Sequence, residues 1–357
     1  MSTVVKSGLL QLRVEKIVHE TPDAISIIFK ETDGKEFTFK PGQFLTFVFD
    51  REGKEVRRSY SIFTTPSRLP EIGIAIKKVP GGYVSDTKLD NIKVGDVLPA
   101  LVPMGNFVRK GESKRNLLFF GAGSGITPLL SLIEDAAGDP SVGKITLHYV
   151  NRDEKSIIFK NRLDEIAANS DSKLYVVHHL TRPLNGWKGD LGRIDQEKSE
   201  SIFAAIPEVE KRVTAIFMCG PGAMMDSITT AALKSGFDKK DINREFFSFS
   251  ISNESRLTLE QVPRDVTVIA GGRSYDITVQ PQDSILDAAL DAGIDLPFSC
   301  RSGTCSSCMT KLVSGKVVML EQRALSDEDI EKGFCLTCVG YPASDNVIVN
   351  YDDPLLG

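Results

Sequence analysis

Six cysteines carry the strongest chemical signal in this 357-residue sequence: Cys219 alone, and Cys300, Cys305, Cys308, Cys335 and Cys338 within 39 residues. The spacing Cys300-x4-Cys305-x2-Cys308, completed by Cys338, can present four thiolates to the two irons of a 2Fe–2S cluster, three of them from one tight loop. Gly303, Thr304, Ser306 and Ser307 are small or flexible enough to let backbone N–H groups approach the sulfurs. Such hydrogen bonds, with local burial, set a cluster's reduction potential. The same residues admit a second reading. Cys305-x2-Cys308 and Cys335-x2-Cys338 form two CxxC pairs, the ligand pattern of a zinc ribbon. The cluster reading leaves Cys335 idle, and the zinc reading leaves Cys300 idle. With no export signal behind Met1, a disulfide framework is the least expected use.

The flanking residues separate the two. Residues 297–308, Pro-Phe-Ser-Cys-Arg-Ser-Gly-Thr-Cys-Ser-Ser-Cys, and residues 333–342, Gly-Phe-Cys-Leu-Thr-Cys-Val-Gly-Tyr-Pro, closely resemble plant-type ferredoxins. In that family the position matching Cys335 is not a ligand. The resemblance implies Cys300, Cys305, Cys308 and Cys338 as the cluster's ligands and an α+β β-grasp fold around them.

Three further motifs precede the cysteines. Arg58-Ser59-Tyr60-Ser61 suits a flavin: Arg58 can neutralise phosphate, Tyr60 can stack on the isoalloxazine, and Ser61 can hydrogen-bond the ring edge near N5. Gly81-Gly82-Tyr83-Val84-Ser85 offers close backbone approach and a hydroxyl for a pyrophosphate, and Lys77 just before it joins the expected cofactor-binding set. Gly121-Ala122-Gly123-Ser124-Gly125-Ile126-Thr127 follows an apolar run and opens a helix, a setting for an anionic pyrophosphate. It is not the Rossmann fingerprint, since Ile126 stands where that motif has glycine. Cys219-Gly220-Pro221 ends a later apolar run, where open α/β sheets bind ligands.

Taken in order, these motifs resemble the ferredoxin–NADP reductase family. The resemblance implies FAD on the first domain, Thr127 near the flavin, Cys219-Gly220-Pro221 beside the nicotinamide, and Glu245 close to the flavin. Ser61, Thr127 and Cys219 are then the expected catalytic positions. Thr181-Arg182 resembles the Ser-Arg pair that holds a 2′-phosphate, with Arg152 nearby, although Arg182-Pro183…Gly186-Trp187 also resembles NADH-using cytochrome b5 reductases. The reading favours NADPH over NADH. The layout, flavin domain, nicotinamide domain and C-terminal ferredoxin, is similar to the reductase components of oxygenases, those of the phenylacetyl-CoA epoxidase and steroid 9-alpha-hydroxylase type among them. The implied activity is an NAD(P)H-dependent oxidoreductase feeding an oxygenase component. Hydride and electron transfer need no side-chain general base, so the absence of a His–Asp pair in the motifs is no objection.

The elements that must position these residues are legible as three blocks. Short β-branched and aromatic runs at 10–18, 24–29, 44–49, 60–63 and 72–79, punctuated by Gly and Pro turns, predict an antiparallel β-barrel over 1–112. From 113 to 250, apolar strands at 117–120, 145–150, 174–178 and 215–218 alternate with helices at 128–137 and 159–168, which predicts an α/β domain with a parallel sheet. A polar linker is expected at 251–263. The third block, 264–357, opens with a hairpin around Gly271-Gly272 and a helix over 284–292. His19, His148, His178 and His179 follow no metal or catalytic spacing and read as strand or surface residues, and Trp187 reads as a packing anchor.

Composition sets the outer limits. Hydrophobic residues are 41% and charged residues 25%, which excludes a disordered or collagen-like chain. No apolar run approaches membrane-span length, and the net charge of −5 argues against nucleic acid. A cytoplasmic protein, monomeric outside its complex, is expected. Seven Lys+Arg against 14 Asp+Glu give residues 264–357 a charge of −7, while the rest stands at +2. That split suggests docking on a basic partner. Asp327-Glu328-Asp329 is the densest acidic run, or else a helix start with Ser326 as its N-cap.

Overall fold

The computed structural model describes residues 9–51, 54–88, 91–109, 115–171, 173–247, 262–320 and 322–354. The chain divides into two compact units, Met1–Glu245 and Phe246–Gly357. Residues 251–261 of the expected linker, and the expected boundary at 112–113, lie outside the described residues.

The first unit opens with six antiparallel strands: β1 (Leu10–Thr21), β2 (Ala24–Glu31), β3 (Phe44–Arg51), β4 (Lys54–Ser61), β5 (Glu71–Lys77) and β6 (Val97–Ala100), ordered β4-β3-β6-β1-β2-β5. An antiparallel bridge between Ile62 and Ile74 joins the two outer strands and closes the barrel. Period-two alternation sends Leu10, Leu12 and Val14 of β1 inward, where they meet Ile27, Phe29, Leu45 and Phe47. Each such side chain contributes about 1.5–3 kcal/mol on full burial. The polar strand β4 begins earlier than its apolar residues foretell.

A parallel sheet follows in the same unit. It contains β7 (Asn116–Ala122), β8 (Lys144–Asn151), β9 (Leu174–Leu180), β10 (Asp190–Leu191), β11 (Thr214–Cys219) and β12 (Ile242–Glu245), ordered β10-β9-β8-β7-β11-β12. Helices α1 (Ile126–Gly138), α2 (Lys160–Asn169), α3 (Gln196–Ala204), α4 (Glu208–Lys211) and α5 (Gly222–Lys234) complete it. Arg244 and Glu245 belong to β12, where Glu245 lies opposite Cys219. Ala24, Ala75 and Phe107 of the barrel region share one core with Leu129, Leu132 and Ile133 of α1. Arg109 adds ion pairs to Asp139 at 2.6 Å and Asp135 at 3.2 Å. Barrel and parallel sheet therefore fold as one body.

In the second unit one sheet joins five strands, β13 (Arg264–Ala270), β14 (Arg273–Val279), β15 (Met309–Ser314), β17 (Phe334–Leu336) and β19 (Val347–Asn350), ordered β14-β13-β19-β15-β17. A separate pair is made by β16 (Val317–Met319) and β18 (Gly340–Pro342). The β13–β14 hairpin turns on Gly271 and Gly272 at φ 61° and 71°, with both N–H groups donating to the Asp352 carboxylate at 2.8 Å. Helix α6 (Ile285–Asp291) is capped by Ser284, whose hydroxyl accepts from the Asp287 N–H at 3.1 Å. The short α7 spans Asp327–Glu331.

Candidate functional site

The order of the parallel sheet reverses at β7, which has β8 on one side and β11 on the other. A crevice beyond the carboxyl ends of such strands is where open α/β sheets take ligands. Gly121 and Cys219 stand directly opposite each other there. The loop after β7 lies so close to β11 that a Cβ on Gly125 would fall 2.1 Å from the Cys219 carbonyl oxygen. Thr127 is buried, and its hydroxyl donates to the Ser124 carbonyl at 2.9 Å. Tyr149, buried on β8, donates to the Gly123 carbonyl at 2.9 Å and so braces the loop from below. Burial, with the Glu245 charge second, pushes the Cys219 thiol well up, so it is a neutral group.

The barrel brings its own residues to this crevice. Lys77 ends β5 with its Nζ 3.7 Å from where a Cβ on Gly123 would sit. Asp23, in the β1–β2 turn, ties Lys77 at 3.6 Å to Arg152 at 3.5 Å, and Thr21 donates to its other oxygen at 2.8 Å. Nothing in the sequence marks Asp23, because its partners stand 54 and 129 residues away. Thr181 and Arg182, both exposed, hang by backbone bonds to the carbonyls of Asn151 (3.0 Å) and Arg152 (2.7 Å). These positions thus share one end of β8 and β9.

Along β4, Ser59 meets Thr46 across the sheet at 3.2 Å, Tyr60 packs on Phe47 with centroids 6.2 Å apart, and Ser61 is buried. Burial pushes the Tyr60 phenol up to about 12, against the weaker pull of Arg58, so it is neutral. Arg58 is exposed and donates to the Arg57 carbonyl at 2.8 Å. Gly82 sits in a turn where a Cβ would meet the Ser85 oxygen at 2.5 Å. The Ser85 hydroxyl accepts from the Val79 N–H at 3.2 Å, which leaves its proton to donate. Tyr83 anchors the segment, donating to the Asp50 carbonyl at 2.7 Å.

In the second unit, residues 300–308 curl through positive φ at Arg301 (54°), Gly303 (71°) and Ser306 (55°). Backbone N–H groups of Ser302 and Thr304 point at the Cys300 sulfur, and that of Cys300 at the Cys305 sulfur, each at 3.4 Å. The Cys300 sulfur interacts with the thiols of Cys305 and Cys338, and Cys338 with Cys308, so four thiols converge. Bonds from Cys305 and then Cys338 pull Cys300 down, while the same pairing and burial push Cys305 and Cys338 up. Burial lifts Cys335 to about 12, with the neighbouring Cys308 adding to it. Among the described residues, no three His, Cys, Asp or Glu groups are placed around a single metal ion. A set of four thiols with converging N–H donors fits a two-iron cluster, which divides its ligands between two metals.

Residues 11–108 match a family model described as an oxidoreductase FAD-binding domain, 119–230 an oxidoreductase NAD-binding domain, and 268–343 a 2Fe–2S iron–sulfur cluster binding domain. The chain is 35% identical to a subunit of 1,2-phenylacetyl-CoA epoxidase of Escherichia coli (strain K12) over 350 residues, 96% of this chain and 97% of that protein. The chain belongs to the flavin- and 2Fe–2S-containing reductase components of oxygenases. The reductase is also 34% identical to the ferredoxin reductase component of 3-ketosteroid-9-alpha-monooxygenase of Mycolicibacterium smegmatis, over 97% of this chain and 98% of that one. Its fold is that of phthalate dioxygenase reductase, with a TM-score of 0.60 and 24% identity across 98% of this chain and 100% of that one. FAD-, NAD- and 2Fe–2S-binding domains are all present, in the expected order, and the reductase transfers electrons through FAD and the cluster to an oxygenase.

Sequence reasoning missed two features of the reductase besides Asp23. His148 and His179 read as unrelated strand residues. They stand on neighbouring strands with Nδ1 of one 3.0 Å from Nε2 of the other, the first stacked on Phe120 at 5.2 Å. The second is Tyr351, whose hydroxyl lies 2.5 Å from that of Thr337, beside Cys338.

Proposed function

We propose that the reductase draws on NADPH and serves an oxygenase of the phenylacetyl-CoA epoxidase kind. The observation that carries this reading is the end-to-end likeness to a subunit of that enzyme, which leaves none of the three domains unaccounted for. The steroid 9-alpha-monooxygenase reductase, almost as similar, is the second reading. When bound, FAD accepts a hydride from the nicotinamide and passes its two electrons on singly, and the 2Fe–2S cluster carries one at a time.

The chain's own residues do the rest. Ser61 and the neutral Tyr60 face the flavin, with Arg58, Gly81, Gly82, Val84 and Ser85 serving its phosphates and Ser59 stiffening the strand. Gly121, Gly123, Gly125 and Thr127 form the nicotinamide wall with Cys219, Gly220 and Pro221, and Glu245 lies behind it. The neutral Cys219 thiol and the buried Thr127 exclude water without contributing a charge. Lys77 and Arg152 supply cations for the dinucleotide phosphates, and Thr181 and Arg182 discriminate the 2′-phosphate. Cys300, Cys305, Cys308 and Cys338 hold the cluster, and Cys335 is a buried bystander.

We place the reductase in the cytoplasm, monomeric outside its complex and without nucleic-acid or membrane partners. All six cysteines are free, as reducing compartments favour, and no helix among the described residues is long and apolar enough to cross a membrane. Two measurements test the proposal. Cys300→Ser should abolish the 2Fe–2S absorption, and Cys335→Ser should keep it; the reverse outcome would return the site to the CxxC pairs. Purified reductase should support NADPH-driven turnover by a phenylacetyl-CoA epoxidase, and coupling only to a steroid oxygenase would move the chain to the second reading.

A further inference from the structure

Thr337 is fully buried, and its hydroxyl lies 3.3 Å from the Cys308 carbonyl and 2.5 Å from the Tyr351 hydroxyl. A carbonyl cannot donate, so Thr337 donates to Cys308 and must accept from Tyr351. The Thr337 N–H also points at the same carbonyl at 3.3 Å, and the Leu286 N–H donates to the Thr337 carbonyl at 3.1 Å. Two donors from one residue thus pin the chain that carries Cys308 to the chain that carries Cys338. The donor bond to Cys308 orients the Thr337 hydroxyl, and a second restraint comes from Tyr351, which donates to one of its lone pairs. It comes from beyond the end of β19 and is itself fixed by its N–H, which donates to the Ile269 carbonyl at 2.8 Å.

We propose that Tyr351 is a positioning residue for the iron–sulfur site, acting through Thr337 on the Cys308 carbonyl. The inference rests on Cys308 and Cys338 being ligands. Chains of hydrogen bonds polarise one another, so the Tyr351 donor strengthens the Thr337 bond and holds its positive end on the Cys308 carbonyl, offsetting the negative oxygen of a ligand residue. A positive dipole end near a cluster favours its reduced, more negative state. Tyr351 therefore does two things: it holds the spacing of two ligand-bearing segments, and it raises the reduction potential.

Tyr351→Phe in the full-length holoprotein keeps the ring's packing and removes only the donor. Its cluster should have a lower midpoint potential in a spectroelectrochemical titration. It should also lose iron to a chelator about two- to tenfold faster, the factor for one lost hydrogen bond. Thr337→Val should give the same two changes, Thr337→Ser should restore both, and the Tyr351→Phe, Thr337→Val double variant should go no further than either alone. Flavin reduction by NADPH is the internal control and should not change. A wild-type potential and chelation rate in Tyr351→Phe, or full additivity in the double variant, would overturn the role of Tyr351. Survival of the 2Fe–2S absorption in Cys338→Ser would instead overturn the ligand reading beneath it.

Discussion

Gly125→Ala isolates the contact on which the proposed nicotinamide wall depends. Gly125 has φ −61° and ψ −9°, a conformation alanine adopts freely, so no backbone strain attaches to the change. The penalty is the added methyl alone, 2.1 Å from the Cys219 carbonyl oxygen and 2.6 Å from its carbon. Real Cβ atoms essentially never approach closer than 3.0 Å, so loop or strand must retreat by about 0.9 Å. Overpacking of this kind costs about 1–3 kcal/mol of stability. A displacement of about 1 Å at a positioning loop costs about 10²-fold in rate. Anaerobic stopped-flow reduction of the flavin by NADPH should slow by that order, with the 2Fe–2S spectrum unchanged. Gly138→Ala is the matched control: at the end of α1 its Cβ would meet nothing within 4 Å. That variant should reduce at the normal rate and gain about 0.4–1 kcal/mol. Wild-type hydride transfer in Gly125→Ala, with only its stability lowered, would show that the loop–strand contact is packing and does not position the nicotinamide.

Arg182→Ala should raise KM for NADPH about tenfold or more, the loss of one charge-assisted hydrogen bond of about 1.5–3 kcal/mol, and leave NADH nearly unaffected. Equal effects on the two cofactors would make Arg182 a loop brace. Burial, with His179 and Lys198 adding, holds His148 down at about 4, and burial and then Lys198 do the same for His179, while Asp190 opposes both. Each is neutral in the fold and titrates near 6.5 when unfolded, so the stability they contribute is complete above about pH 6.5 and is lost as pH falls towards 4. Thermal melts should decline more steeply across that window in the wild type than in His148→Gln, and parallel declines would contradict the assignment. In the acidic run, Asp329 accepts from the Ser326 N–H and hydroxyl at 2.9 and 2.7 Å, and Glu328 pairs with Lys332 at 2.6 Å. Asp327→Asn with Glu328→Gln should flatten the salt dependence of electron delivery to the oxygenase, whereas an unchanged slope would confine the run to capping.

What is legible in the sequence is local. Four thiols brought together by a nine-residue loop and one later turn show in their spacing, and the flanking residues choose between the two ligand sets it allows. The hairpin at Gly271-Gly272 does so because a two-residue turn with positive φ joins its strands. The barrel is legible where β-branched residues alternate, and less so at β4, whose outward residues are polar. Helix α3 escapes because Ser199 and Phe203 are its only buried residues, too few to set a period. The Asp23 bridge from Lys77 to Arg152 has no sequence signal at all. Its geometry exists only once the barrel and the parallel sheet share a core.

Gly125 shows the limit of motif reading in a single residue. In the sequence, the third glycine of Gly-Ala-Gly-Ser-Gly is one more place where a backbone can approach a phosphate. In the fold, the neighbour that would meet its side chain is the carbonyl of Cys219, at the end of another strand 94 residues later. The glycine is thus required by the protein's own packing before any dinucleotide arrives. That packing sets Gly121 opposite Cys219 across the point where the sheet reverses. The two motifs read separately, the glycine loop and Cys-Gly-Pro, are therefore two sides of one contact. Loss of either side should disturb the other, and for that reason the Gly125 variant tests the crevice as a whole.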